Sequence, residues 1–414
     1  MIGRAGGTIV AVEPQRLTAM LYGARAGDAA VVTTSADRRI VANVIAASAG
    51  RTVLAPSDDV DGIAAGDRVT LEPLAAQIVL GSALLGRAIA ANGTVLDDLP
   101  SPRGRILAAP TTSAPRERAP VTEPFWTGVR ALDGPLAFGR GARIGLFGAP
   151  GAGKSTLLEA IVAGSSADAV VVGLVGERGR EAEAWLRRQG PRTTVICATS
   201  DRSAGERLRA AELAFAQAAA LRDRGLHVLL VLDSLARTAA AARELAVAQG
   251  EPVGRGGYPP SVVARQARLL EQAGPAQSGS VTLVATVLSE GPLEHDPVAD
   301  AARAALDGHV VLSARLAAAN WFPAIDLPAS ASRTLVDVAS PEHRAAAARL
   351  RGAVAALDAA RDARALGLDP STGDPLLARA IAAEARIGAF FRQAGDPADP
   401  AETLMLMAQI ADGL

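Results

Sequence analysis

Gly148-Ala149-Pro150-Gly151-Ala152-Gly153-Lys154-Ser155 has the spacing G-x-x-x-x-G-K-[ST], the pattern of a loop that wraps backbone amides around phosphoryl oxygens. An apolar, strand-compatible run from Ile144 to Phe147 precedes it and a helix-compatible stretch from Ser155 to Val162 follows, which is the context the motif requires. Side chains at Gly148, Gly151 or Gly153 would obstruct the turn or exclude a ligand. Backbone N–H groups along Ala149, Pro150's neighbours and Ala152 are then expected to face phosphate, reinforced by the positive end of the helix that starts near Lys154. Lys154 is expected to bridge the β and γ phosphates of ATP, and Ser155 to give its hydroxyl oxygen to Mg²⁺. Thr156 belongs to the same nucleotide-contacting stretch but points elsewhere around the helix, so it is not the expected metal ligand. The bland alternative is a glycine-rich strand-to-helix turn that holds no nucleotide.

Two further positions could complete hydrolysis of the β–γ bond. Asp233 closes the apolar run Val228 to Leu232, and an acid at the carboxyl end of a buried strand can orient Mg²⁺ through a coordinated water. Gly176-Glu177-Arg178-Gly179-Arg180 follows the apolar run Ala169 to Val175, and a carboxylate there can polarise the attacking water. Glu177 is the candidate; a solvated helix cap is its blander reading, and Glu181 or Glu183 could stand in its place. Arg178 has three open readings: a phosphate contact, a contact to a neighbouring subunit, or a partner for an acid.

The elements that must position these groups divide the 414 residues into more than one domain, since a single core of that size is unusual. Strand-like runs at Thr8 to Val12, Thr18 to Tyr22, Ala29 to Val32, Ile40 to Ile45 and Arg68 to Leu71 imply a small antiparallel β domain, a barrel whose closure hides its edges. Prolines between Pro100 and Pro120 imply an extended connector. Compact apolar runs at Ile144 to Phe147, Ala169 to Val175, Thr194 to Cys197, Val228 to Leu232 and Val281 to Val287 imply a mainly parallel sheet. Ser155 to Val162, Arg180 to Arg188 and Ser203 to Arg222 read as the intervening helices. Helical periodicity in Pro341 to Leu366 and Asp374 to Gln393 marks a separate helical domain.

Composition narrows the partners. Lys and Arg number 42 against 43 for Asp and Glu, a formal charge of -1, so nothing in the bulk electrostatics asks for a nucleic-acid polyanion. The 49% hydrophobic fraction excludes wholesale disorder. Cys197 is the only cysteine and agrees with a reducing compartment. No apolar stretch is long enough for a membrane span, and Met1-Ile2-Gly3-Arg4 lacks the pattern of a secretory signal, so membrane association is expected to be peripheral.

Longer stretches around these residues resemble the ATPases of bacterial type III secretion, shared by injectisomes and flagellar export. They are Ala119 to Arg130 (APVTEPFWTGVR), the Gly176 to Arg180 cluster, Asp233 to Arg237 (DSLAR), Gly250-Glu251-Pro252 with Gly257 to Val262 (GYPPSV), Asp307 to Ser313 (DGHVVLS), and Phe322 to Asp326 (FPAID) with Ser332-Arg333. The resemblance implies an α/β RecA-like phosphate-loop NTPase core over 73–340, a small N-terminal β barrel over 1–72 and a C-terminal helical domain over 341–414. It implies a homohexamer in the cytoplasm, peripheral to the inner face of the bacterial inner membrane. The implied partners are central-stalk and stator proteins, export-gate components, chaperones and secreted substrates, with no nucleic acid. It assigns Glu177 as the residue that orients water, Arg333 as an arginine finger entering the adjacent subunit's site, and Phe322 and Phe390 as aromatic contacts to adenine; each phenylalanine could equally be a packed core residue.

Departures from the pattern are Ala236 and Thr238, where a Thr and an aromatic residue are usual, and Arg265-Gln266-Ala267, where a more apolar stretch is usual. They bear on partner affinity and ring geometry more than on chemistry. Ala198 to Ser203 (ATSDRS) looks closer to injectisome members than to flagellar ones. Two other functions compete: a rotary proton-motor subunit, which would need a distinct noncatalytic partner, and a hexameric nucleic-acid translocase, which the balanced charge and the lack of an evident basic, aromatic-rich strand-binding stretch disfavour.

Overall fold

Within the N-terminal strands buried apolar side chains alternate with more exposed ones, and these strands close on themselves. The computed structural model describes residues 6–25, 28–56, 59–72, 78–102, 106–107, 118–288 and 296–414. Strands β1 (Gly6–Glu13), β2 (Arg16–Met20), β3 (Ala29–Thr33), β4 (Arg39–Ser48), β5 (Arg51–Pro56) and β6 (Arg68–Leu71) form a closed barrel in the order β1-β2-β5-β4-β3-β6. All its ladders are antiparallel, and Gly6 opposite Thr70 closes the ring. Leu17, Ala19 and Leu21, Ala30 and Val32, and Ile40, Ala42 and Val44 point inward at the period of two that a strand imposes. Closure leaves no unpaired edge to template pairing with another chain. Strand β5 is the one the sequence reading lacked. Only Thr52 and Leu54 mark its inward face at its start, and the Thr52 hydroxyl is buried because it donates to the Leu21 carbonyl at 2.9 Å.

A nine-stranded sheet forms the α/β region. Its strands are β7 (Ala88–Ala90), β8 (Arg143–Gly148), β9 (Ala169–Val175), β10 (Thr193–Ala198), β11 (His227–Asp233), β12 (Ser280–Leu288), β13 (Gly308–Leu312) and β14 (Ile325–Ser332), in the order β14-β13-β8-β12-β11-β9-β10-β7, with Gly274–Pro275 paired onto β12. β8 runs parallel to both β12 and β13, and β10 runs parallel to β7, whereas β14 turns back antiparallel to β13. Every residue of β9 and of β11 is buried, which is why each reads as an unbroken apolar run.

Helices α1 (Lys154–Gly164), α2 (Gly179–Arg188), α3 (Ala204–Arg222), α4 (Leu235–Ala248), α5 (Pro260–Leu270), α6 (Pro297–Ala305), α7 (Pro341–Ala365), α8 (Pro375–Phe391) and α9 (Pro400–Ala411) follow in chain order. The described residues fall into two compact units: one from Met1–Thr112, Val171–Leu221 and Leu232–Gln272, the other from Ser113–Val170, Arg222–Val231 and Ala273–Leu414. In the first, Ser203 and Glu206 form a reciprocal capping box at the start of α3, each accepting the other's backbone N–H at 3.2 Å. In the second, the C-terminal helices all begin with a cap and a proline. Ser340, Asp374 and Asp399 accept from the N–H groups of His343, Leu377 and Glu402, and Pro341, Pro375 and Pro400 occupy the first helical turn, where a missing N–H costs nothing.

Of the expected connector from Pro100 to Pro120, residues 103–105 and 108–117 lie outside those described; Ile106–Leu107 pairs antiparallel with Ile78–Val79. Among the described residues, no helix is long and apolar enough to cross a membrane.

Candidate active site

The phosphate loop leaves β8 at Gly148 and enters α1 at Lys154. Gly151 and Gly153 take φ of 79° and 91°, a left-handed region that L side chains avoid, so the turn requires glycine there. Gly148 is constrained differently: a Cβ on it would lie 3.1 Å from the Leu312 Cβ and 3.5 Å from that of Ala152. Gly153 caps α1 without any side-chain hydrogen bond, and no acid occupies the first turn, so no side chain competes with an anion for the positive end of the helix. The Lys154 ammonium donates to the carbonyls of Gly148 at 2.8 Å and Ala149 at 2.7 Å, which folds its charge back over the turn. Ser155 and Thr156 are exposed, and so is Pro150, whereas Ala152 is buried against the strand.

In the same unit Phe322 lies beside the loop, its ring carbon 3.3 Å from where a Cβ of Gly153 would sit. Its peptide to Pro323 is cis. Phe390 is placed otherwise. It is 3% exposed, stacks edge-on against Phe391 with centroids 5.2 Å apart, and its ring tip reaches within 3.0 Å of the Cβ position of Gly134. That is the environment of a core residue. Arg333 sits between two anchored neighbours: the Ser332 hydroxyl donates to the Ala137 carbonyl at 2.9 Å, and the Thr334 hydroxyl accepts from the Gly139 N–H at 3.0 Å. Its own N–H is held by the Asp307 carbonyl at 2.8 Å. The Arg333 side chain is exposed, and its guanidinium makes no hydrogen bond or ion pair among the described residues.

The acidic cluster belongs to the other unit. Glu177 follows β9, its carbonyl accepts from the Ser200 N–H at 3.0 Å, and its side chain is buried. Its Oε1 lies 3.0 Å from Nε of Arg237, whose Nη1 also donates to the Gly176 carbonyl. Burial first, then the charge of Asp233 and a hydrogen bond with Glu181, push the Glu177 carboxyl up to about 8 against the lowering pull of Arg237. Of the alternative carboxylates, Glu183 pairs with Arg187 on the solvent side of α2 and Glu181 is exposed. Glu177 alone is buried at the strand end. Asp233 ends β11, is 9% exposed, and is followed by Ser234, whose hydroxyl caps α4 by accepting from the Arg237 N–H at 3.3 Å. Arg178 is exposed at the cap of α2, and its guanidinium makes no hydrogen bond or ion pair among the described residues. Arg237 had no role in the sequence reading beyond its place in the DSLAR stretch.

The Ser155 hydroxyl in one unit and the Asp233 carboxylate in the other are each of the hard-oxygen type that Mg²⁺ takes, and among the described residues no group of three or more His, Cys, Asp and Glu could hold a cation by protein atoms alone. Mg²⁺ suits such a sparse set, because it keeps its waters and takes the rest of its shell from substrate phosphates.

The sequence profile of the ATP synthase alpha/beta family, nucleotide-binding domain, matches residues 128–332, and that of the T3SS EscN ATPase C-terminal domain matches residues 339–409. The type 3 secretion system ATPase of Pseudomonas syringae pv. syringae is 38% identical over 425 residues, covering 99% of this chain and 95% of that protein. The flagellum-specific ATP synthase of Salmonella typhimurium is 40% identical over 374 residues, covering 86% of this chain and 82% of that protein. Among solved structures, the assembled ATPase EscN from the enteropathogenic E. coli type III secretion system is similar at a TM-score of 0.91 and 37% identity, over 98% of this chain and 100% of that one. The assembled EscN in complex with its central stalk EscO is similar at a TM-score of 0.90 and 36% identity, again over 98% and 100%.

Proposed function

This chain belongs to the family of type III secretion and flagellar export ATPases, and on that premise we propose that it hydrolyses Mg²⁺-bound ATP within a homohexameric ring to drive protein export. The observation that carries the reading is the glycine turn of Gly148 to Ser155, which opens onto an uncapped helix start with Lys154 folded over it. Triphosphate oxygens would replace the Gly148 and Ala149 carbonyls as partners of the Lys154 ammonium, while the first N–H groups of α1 bind them from the other side. Ser155 and Asp233 would hold Mg²⁺, which neutralises phosphate charge when bound. Glu177, held by Arg237, would orient water toward the γ phosphate. Arg333 would enter from the neighbouring copy, and Phe322 would face the base.

The assembled EscN and its stalk complex support a ring that works around a central-stalk protein. A stator protein, export-gate components, chaperones and secreted substrates complete the proposed partners, with peripheral attachment at the inner face of the bacterial inner membrane. Among export systems we favour the injectisome, on the Ala198 to Ser203 stretch; needle genes beside this one would support that choice and flagellar genes would oppose it.

Phosphate release measured on assemblies separated by size tests the core of the proposal. Activity per subunit should rise from monomer to ring and vanish when Mg²⁺ is chelated. Equal activity in monomers and rings would refute a site completed by a neighbour.

The carboxylate role has its own test. Glu177→Gln should keep ATP affinity and lose turnover by roughly 10²- to 10⁴-fold, the usual range for a positioned acid or base. The ionised carboxylate is the form that can take a proton from the attacking water, so kcat/KM should climb with pH toward the region near 8. Because Arg237 pulls the Glu177 carboxyl down, Arg237→Gln should move that climb to higher pH; a profile that stays in place would separate Glu177 from the titration.

A further inference from the structure

A second contact system joins the end of α8 to both ends of the nucleotide-binding element, and it does so through one side chain that lies outside the phosphate loop. Gln393 lies just past α8. Its Nε2 donates to the Gly128 carbonyl at 2.8 Å and the Asp396 carbonyl at 3.2 Å, and its Oε1 accepts from the Arg130 N–H at 2.9 Å. Its backbone N–H donates to the carbonyl of Phe322 at 3.0 Å. The amide side chain therefore fixes the backbone segment that in turn fixes Phe322.

The surroundings make this a rigid frame. The Arg392 guanidinium lies 4.3 Å over the Trp321 ring, and Arg130 Nη2 donates to the Arg392 carbonyl at 2.7 Å. Gly128 packs against Gly164, the last residue of α1: a Cβ on Gly128 would lie 2.9 Å from the Gly164 Cα and 2.8 Å from Pro397. Residues 392–398 thus grip the far end of the phosphate-loop helix through Gly128 and the aromatic neighbour of its near end through Phe322.

We propose that Gln393 is a positioning residue for the nucleotide base, setting the place of Phe322 beside the phosphate loop. The inference rests on the reading of Phe322 as the base contact, and it adds a route by which the C-terminal helices act on nucleotide affinity. A shift of α8 moves Gln393, and Gln393 moves the Phe322 backbone. The fold does not depend on this one amide, because the Ala398 N–H also donates to the Gly128 carbonyl, at 2.9 Å, and the Arg392–Trp321 contact remains.

The test uses the full chain assembled as rings, with ATP and tripolyphosphate as probes. Gln393→Leu keeps the bulk and loses all three side-chain hydrogen bonds. Gln393→Glu keeps the acceptor toward Arg130 but faces the Gly128 carbonyl with a second acceptor. Both should raise KM for ATP by about fivefold to twentyfold, with kcat and the inhibition constant of tripolyphosphate changing by less than about twofold. Tripolyphosphate carries the charge of ATP without its base, so a general loss of structure would weaken both probes alike and overturn the proposal. Combined with Phe322→Ala, Gln393→Leu should add nothing further, as expected for residues acting through one contact. If Phe322→Ala weakens ATP and Gln393→Leu does not, the role of Gln393 is refuted and the base contact stands. If Phe322→Ala leaves ATP affinity unchanged, the base contact itself is refuted.

Discussion

Lys154→Ala should abolish ATP hydrolysis and weaken ATP binding by on the order of 10²- to 10³-fold, the cost of removing one partner from a desolvated charge pair. The ammonium has two duties. It donates to the Gly148 and Ala149 carbonyls, and so closes the turn, and it is the only cation within the motif itself. Alanine removes both at once. Lys154→Arg restores the charge but not the shape, because a planar guanidinium cannot place a compact donor against two carbonyls of the same tight loop, so it should be nearly as inactive. The helix should survive either change, since α1 is held by Leu157, Leu158 and Ile161, which are all buried. Titration with a fluorescent ATP analogue, alongside phosphate release, checks the prediction. ATP affinity within about twofold of the parent would remove Lys154 from the site.

Elements came out of the sequence where burial is complete on both faces. β9 and β11 are buried at all seven positions, and an unbroken apolar run between turn residues has few other meanings. β14 was missed for the opposite reason. Ile325 to Ser332 contains Pro328 followed by four small positions, Ala329 to Ser332, which hide its alternation; it is a strand because it lies on the sheet edge, where a missing N–H is tolerated, and its register with β13 slips between His309 and Val311. β5 was lost to its flanks, with Gly50 before it and Pro56 within it.

The site divides along the same line. The phosphate loop is legible because its chemistry is local: eight adjacent residues make the turn, the amides and the lysine. Arg237 is not, because its function lies in a contact with Glu177 sixty positions earlier that only the packing of α4 beside the end of β9 creates. The two phenylalanines make the point sharply. Sequence alone left Phe322 and Phe390 with the same pair of readings, and burial separates them: one ring lies beside Gly153 and the other is packed against Phe391 and Gly134. Our proposal accordingly keeps Phe322 as the base contact and leaves Phe390 to the core.

Arg333→Ala should lower kcat in assembled rings by about 10³-fold while leaving KM for ATP nearly unchanged, the signature of a guanidinium that acts on the transition state rather than on binding. An arginine serving its own fold would be expected to show a carboxylate or carbonyl partner, as Arg143 does with Asp307 at 3.1 Å. Arg333 has none among the described residues, although Ser332, Thr334 and its own N–H pin the backbone on both sides of it. A rigid base with an exposed, unpaired cation is suited to a partner surface, and the decisive experiment mixes two inactive proteins. Rings of Arg333→Ala subunits combined with Lys154→Ala subunits contain some interfaces at which an intact loop meets an intact arginine. If the arginine acts in trans, those interfaces hydrolyse ATP, and the mixture regains activity that neither parent has. If each subunit needs its own arginine, every subunit in the mixture remains defective. Size-verified mixed rings that stay silent would therefore refute the trans role, even if Arg333→Ala alone is inactive.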